Sequence, residues 1–342
     1  MNRLLWVELR RNFARRLTRL LSVVFLLGAA AVIAIVWLNT DTVSKAELLS
    51  RQHQAVLTCA TYPSEGSTPT TIVTRNGIEI RGIGPSAATP EKIASCQKQL
   101  DKALATGKTK YFPYYDDPRP QLRKLAVPPG EGTGILVPII SLLMVGALGA
   151  GASMIGAEWK AGTVTTQLLW EPRRTRVFVA KLAATTLAAA VVGIILMIGV
   201  SIELLPLFAT KGTTTGTDAA WFGQVAATLA RGGFVIGLAA ALGASLAMLF
   251  RNTAGPILLV FGYIAIAENF LRIWKPHYAV WLVGTNLATV IDGQREQMVI
   301  SDSGIHWSHT VTTSAITLVV YIGVLAVIAA LAFRHRDIAA TA

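Results

Sequence analysis

The sequence predicts an all-α polytopic membrane protein of six transmembrane helices, with a small α+β extracytoplasmic insertion between helices 1 and 2. Three observations carry this. Charged residues make up only 15% of the 342 residues and hydrophobic residues 53%, with a mean hydropathy of +0.52; soluble domains carry about a quarter charged residues. Apolar stretches near the ~20 residues that span a bilayer recur six times, at 20–38, 134–155, 182–204, 222–250, 255–271 and 311–333. One long polar segment, 39–133, separates the first two. The net charge of +12 does not argue for nucleic acid. The basic residues flank apolar spans, and no basic patch is interleaved with aromatic residues.

Residues 1–19 form an interfacial segment. Leu5, Leu9, Phe13, Leu17 and Leu20 recur at near-helical spacing, and Arg11, Arg15 and Arg19 mark another face. This predicts an amphipathic helix on the membrane surface; a charged flank without stable structure is the plainer alternative. The apolar run 20–38 exceeds the ~7–15 residues of a signal-peptide core, and no A-x-A site follows it. It reads as an uncleaved anchor.

The insertion 39–133 carries its own signals. Asn76-Gly77 sits between β-branched runs in TTIVTR-NG-IEIR, a hairpin with a type I′ turn. Thr89-Pro90-Glu91 opens a helix: a capping hydroxyl, a proline at the first helical position, then an acid. That helix runs to about Ala105, with Gly107 near its end. Cys59 and Cys96 both lie in this segment. In an oxidising compartment they form a disulfide, the alternative being two buried thiols. Tyr111, Phe112, Tyr114 and Tyr115 read as a small core or an interface anchor, or as a surface for an apolar ligand or sugar.

Lys and Arg set the orientation. With the N-terminus cytoplasmic, the inner segments hold Arg3, Arg10, Arg11, Arg15, Arg16, Arg19, Lys160, Arg173, Arg174, Arg176, Lys181, Arg251, Arg334 and Arg336. The short outer segments hold only Lys211, Arg272, Lys275 and Arg295. Both termini, including the tail 334–342, are therefore expected inside the cell membrane.

Charges at membrane depth are functional candidates. Glu203, Arg231 and Glu268, the last beside Asn269, lie in the outer halves of their spans. Matching depth and opposite sign predict that Arg231 pairs with Glu203 or Glu268; headgroup-level placement is the alternative. Small residues are dense in GALGAGASMIGA (146–157) and GLAAALGASLA (237–247). Such patterns permit close helix approach, within one subunit or across a dimer seam.

The loop 156–181 is the stretch with machinery-like features. Thr163 can cap a short helix, VTTQLLW, after Gly162. Pro172 stops that helix and can begin the next, and Arg173, Arg174, Arg176 and Lys181 lead into span three. A short rigid element joined to two spans suits transmission of force from another protein; an ordinary basic loop has the same composition.

The ordered set Glu158, Gly162-Thr163, Leu168-Leu169, Pro172, Arg173-Arg174 and Lys181 resembles the cytoplasmic loop of ABC-2 type permeases, the six-span membrane subunits of ABC exporters. The resemblance extends over most of the chain. It implies an interfacial N-terminal helix, internal termini, and a coupling helix between spans two and three. It further implies a separate P-loop ATPase subunit, with ATP and Mg on that partner and no cofactor on this chain. Glu158, Gly162, Thr163, Arg173, Arg174, Arg176 and Lys181 would form or shape its docking site. A second permease copy, or a paralogous permease, would complete the path, surrounded by membrane lipid. The outer loop 272–310 contains PHYAVWLVGTNLATVID (276–292), similar to the family's re-entrant outer segment. The long insertion 39–133 departs from the many members that have only a short link there.

Rival classes find less support. No G-x-x-x-x-G-K-[ST] cradle is present, so ATP hydrolysis is not expected on this chain. His53, His277, His306, His309 and His335 are scattered and match no metal spacing. No internal repeat suggests a secondary transporter. A membrane-anchored sensor or immunity protein acting through the outer segment is the alternative function. The expected substrate is lipid-like or amphipathic, because the spans hold few buried charges.

Overall fold

The computed structural model describes residues 2–61, 71–75, 78–82, 88–106, 115, 117–127, 134–293, 298–301, 304–307 and 309–335. The expected turn at Asn76-Gly77, Gly107, and Tyr111, Phe112 and Tyr114 lie outside them, as do Arg295 and Arg336. Six helical stretches are long and apolar enough to cross a membrane: Thr18–Asn39, Leu136–Lys160, Arg174–Thr210, Ala219–Phe250, Ala254–Trp274 and Val311–His335. Each overlaps an expected span. The chain divides into two compact units, each taken by itself.

The larger unit comprises 1–31, 125–203 and 223–342. Helix α1 (Asn2–Ala14) and helix α2 (Arg16–Asn39), which holds the first span, are separated by Arg15 alone. Helices α5 (Leu136–Lys160), α7 (Arg174–Thr210) and α8 (Ala219–Phe250) supply spans two to four. Between α5 and α7 lies α6 (Thr163–Trp170). α8 is the most buried span, because its glycines admit close neighbours from α5 and α7. A methyl group on Gly243 would sit 2.2 Å from the Leu148 carbonyl oxygen of α5, and one on Gly151 of α5 would sit 2.1 Å from the Ala240 carbonyl oxygen of α8. Nearer its N-terminal end α8 meets α7: Gly233 receives Ile194 of α7, and Gly193 of α7 receives Ile236. The two small-residue stretches thus pack against each other within one subunit, backbone to backbone.

Span five is not a plain α-helix. α9 (Ala254–Gly262) passes into a π-helical stretch, Tyr263–Glu268, then α10 (Asn269–Trp274). The wider turn changes the direction in which the residues after it point. A 3₁₀ turn, Pro276–Trp281, leads to α11 (Val283–Asp292), which packs on the last span, α12 (Val311–His335). A hairpin the sequence reading did not find, Met298–Ser301 with Gly304–Trp307, lies between α11 and α12.

The smaller unit comprises 32–124 and 204–222. Its core is helical rather than α+β. α3 (Lys45–Thr61) and α4 (Pro90–Thr106) pack through Ala55, Val56, Cys59, Ala60, Cys96, Leu100 and Ala103, with Tyr115 closing the cluster. The Cys59–Cys96 disulfide joins the two helices. The expected hairpin forms a two-stranded ribbon, Thr71–Arg75 with Ile78–Gly82. α3 itself was missed, although its signal was legible. Ser44 and Glu47 have capping-box spacing, and the Glu47 backbone N–H donates to Ser44 Oγ at 3.1 Å. α4 begins as expected, with the Ile93 N–H bonded to the Thr89 carbonyl.

Candidate coupling site

The loop joining α5 to α7 folds as its residues dictate. Gly162 adopts φ 67°, a left-handed conformation that suits glycine, and ends α5's last turn. α6 follows directly. Thr163 is its first residue rather than its cap: its hydroxyl approaches the Glu158 carbonyl at 3.4 Å, and no side chain caps the helix. Pro172 lies past its end, where it cannot continue the ladder, and α7 begins at Arg174.

Behind α6 lies an ion cluster drawn from three helices. Lys181 of α7 donates to Glu8 Oε1 of α1 at 2.8 Å and lies 2.9 Å from Glu158 Oε2 of α5. Arg11 of α1 reaches Glu158 Oε1 at 2.9 Å, with Arg15 at 3.7 Å. Gln167 of α6 donates to Glu8 Oε1 at 2.8 Å, so α6 is held to the cluster as well. Glu8, Glu158 and Lys181 are 2%, 4% and 5% exposed. Burial pushes the Glu8 carboxyl upward, but Lys181, Gln167 and Arg11 together outweigh it and hold the group below the usual glutamate range.

This arrangement divides the expected docking residues into enclosed and open ones. Glu158 and Lys181 do not face outward; they are turned into the protein and neutralised there. Glu8, Arg11 and Arg15 complete the cluster and were not assigned to it. One clue was present: Glu8 is the lone acid among the first 40 residues, and it has the spacing to share a helix face with Arg11 and Arg15. Arg174 also turns partly inward, donating to the Phe333 and Arg334 carbonyls at 3.4 Å each, at the end of α12. Arg173, Arg176 and Thr163 are exposed.

The tip of α6 is apolar and open. Leu169 is 85% exposed and Trp170 88%, while Val164 and Leu168 on the other side pack into a core with Ile155, Phe178, Met248 and Phe333. Beneath that core, Trp159 meets Phe333 edge-on at 6.1 Å, and the Arg251 guanidinium lies 5.1 Å over the Trp159 ring. The helix therefore combines a fixed inner face with a free outer one.

The expected intramembrane pairing is not formed. Glu268 pairs with Arg272, one turn along, at 2.8 Å, and Arg272 also reaches Thr285 Oγ1 at 3.0 Å. The Gly284 N–H donates to Glu268 Oε2 at 3.2 Å, so Glu268 satisfies one of the free amides at the start of α11. Arg231 faces Asp292 electrostatically and donates to Thr228 Oγ1 at 3.2 Å, with its guanidinium against Gly293. Burial pushes the Asp292 carboxyl upward, and Arg231 offsets part of that. Among the described residues no donor reaches Glu203 Oε2, which is buried. The Asn269 amide donates to two carbonyls of its own span, Ile264 at 2.9 Å and Ala265 at 3.1 Å. The sequence pairing failed because depth along a helix does not specify which face a side chain occupies.

Comparison with known proteins agrees with this architecture. A family model described as ABC-2 family transporter protein matches residues 3–338. No curated protein and no solved structure matches the chain. The family match covers nearly the full length, all six spans and the α5–α6–α7 loop included: the chain belongs to the ABC-2 transporter family, as a multi-pass membrane permease of an ABC transporter.

Proposed function

We propose that the chain is the permease subunit of an ATP-driven exporter and that a separate P-loop ATPase docks on the tip of α6. One observation carries this: Leu169 and Trp170 stand exposed on a helix whose opposite side is tied to α1, α5 and α7 through Glu8, Glu158, Lys181 and Gln167. An ATPase that moved this tip would move three membrane-linked helices together. Arg173 and Arg176 beside the tip offer cationic contacts to the partner; Glu158 and Lys181 are positioning residues behind it. ATP and Mg belong to the partner, and this chain carries no catalytic residue for hydrolysis.

In this reading both termini and α6 lie on the cytoplasmic side of the cell membrane. The 39–133 insertion lies outside, where the Cys59–Cys96 bridge is maintained by an oxidising environment. The segment 276–292 is the outer re-entrant element, secured by Glu268. A second permease, identical or paralogous, completes the path, and the sparse charge of the spans favours a lipid-like or amphipathic substrate. The test is co-purification from native membranes of the tagged chain and its Trp170→Glu variant. A P-loop ATPase should accompany the wild type and be lost with the variant. A chain that instead carries only a partner of the outer segment would support the sensor or immunity function.

A further inference from the structure

We propose that the turn between α8 and α9, residues 251–253, is a second coupling element, and that Arg251 is the positioning residue that ties it to α6 through Trp159. The backbone singles this residue out. Arg251 has φ 56°, the one positive φ of a non-glycine residue among the described residues. Glycine or asparagine takes this left-handed conformation at less cost, and an asparagine, Asn252, follows directly in the chain. The side chain therefore has to account for an arginine at this position. Its guanidinium lies 5.1 Å over the Trp159 ring.

Trp159 lies where a movement of α6 would first be felt. It is in the last turn of α5, directly before the Ala161-Gly162 step into α6. Its indole Nε1 is buried, and no acceptor reaches it among the described residues. Ring contacts hold the side chain instead: Arg251 over its face, and Phe333 of α12 edge-on at 6.1 Å. Both rings belong to the apolar cluster that receives Val164 and Leu168 of α6. One turn back, Gly156 seats the same turn: a methyl group there would lie 2.6 Å from Thr253 Cγ2 and 2.8 Å from the Asn252 carbonyl carbon. The turn is itself braced. Asn252 Nδ2 donates to the Phe250 carbonyl at 3.1 Å, and the Gly255 N–H donates to Asn252 Oδ1 at 2.7 Å, which fastens the end of α8 to the start of α9. A movement of α6 thus passes through the end of α5 to spans four and five, beside the route through Lys181 to α1 and α7. The coupling role rests on an ATPase docking at α6; the link from Arg251 to α6 does not.

The test reads hydrogen exchange in the full chain in nanodiscs, with two substitutions that separate backbone from charge. R251N suits the left-handed turn and removes the cation; R251K keeps the cation without easing the backbone. In the permease alone, R251N should accelerate exchange over 163–170 about two- to fivefold, the size of an exposed cation–π contact, whereas R251K should match the wild type. The melting temperature of R251N should stay at the wild-type level, which separates a lost link from a lost fold. In a W159L background R251N should add nothing. Equal exchange in R251N and the wild type, or equal acceleration by R251N and R251K, would overturn the link. In the complex with the co-purified ATPase, ATP with vanadate should change exchange over 251–256, and R251N should keep the ATPase and lose most of that change. No change in the wild type, an undiminished change in R251N, or loss of the ATPase from R251N would overturn the coupling role. A wild type that carries no ATPase would contradict docking at α6 and the coupling role with it, while the link stands or falls on 163–170.

Discussion

Lys181 holds two buried carboxylates, Glu8 and Glu158, each within 2.9 Å. Taking away the shared cation leaves uncompensated buried charge, which costs about 3–5 kcal/mol, whereas removing both partners of a pair costs much less. Lys181→Met should therefore lower thermal stability sharply, and Glu8→Gln/Lys181→Met should recover part of the loss in the same melting experiment. Additive losses would show that the pair is not coupled. The cluster also has a pH signature. The Glu8 carboxyl is held below its unfolded value, so its contribution is complete above the unfolded pKa of about 4.3 and is lost as pH falls through the lower folded value. Hydrogen exchange over α1 should accelerate in that acid range, and Glu8→Gln should flatten the response. At this scale the sequence revealed the charges but not their partners. Glu158 and Lys181 were visible in the loop, yet the residue that joins them comes from the other end of the chain, and no local spacing encodes that contact.

Helices were legible where periodicity or caps mark them, and less so where tertiary contacts decide. All six spans were read from apolar length, and α4 from Thr89-Pro90-Glu91. The π-helical turn before Glu268 leaves no local signature, and α3 was overlooked despite Ser44 and Glu47. The α5–α8 crossing yields a direct prediction. Gly151 and Gly243 meet backbone carbonyls that have no flexible end to yield. Gly151→Val or Gly243→Val should destabilise by about 1–3 kcal/mol or more, read as a lower melting temperature, while Gly146→Val, where no atom lies within 4 Å, should be tolerated. In the smaller unit, the disulfide closes a separation of 37 residues. Cys59→Ser should cost that module about 3–4 kcal/mol, and limited proteolysis should then cut between α3 and α4 while leaving α5–α8 intact.

As a whole molecule, the permease combines a helical bundle centred on α8 with an assembly in which α1, α5, α6 and α7 share one buried charge network. The resemblance read from the loop identified the family, and the composition of the spans identified the solvent. Neither distinguishes a residue that touches a partner from one that positions the residue that does, because Glu158, Lys181, Arg173 and Arg176 are all charged residues of one segment. Burial separates them: two are enclosed and two are open. The account therefore centres on the tip of α6. Both native cysteines are joined to each other, so a single cysteine introduced at Trp170 carries the only reactive thiol among the described residues. The decisive measurement is thiol cross-linking of Trp170→Cys in native membranes, with the exposed Phe222→Cys as the comparison. The account predicts a cross-linked P-loop ATPase from position 170 and none from 222. An ATPase captured equally from both positions, or only from 222, would contradict it.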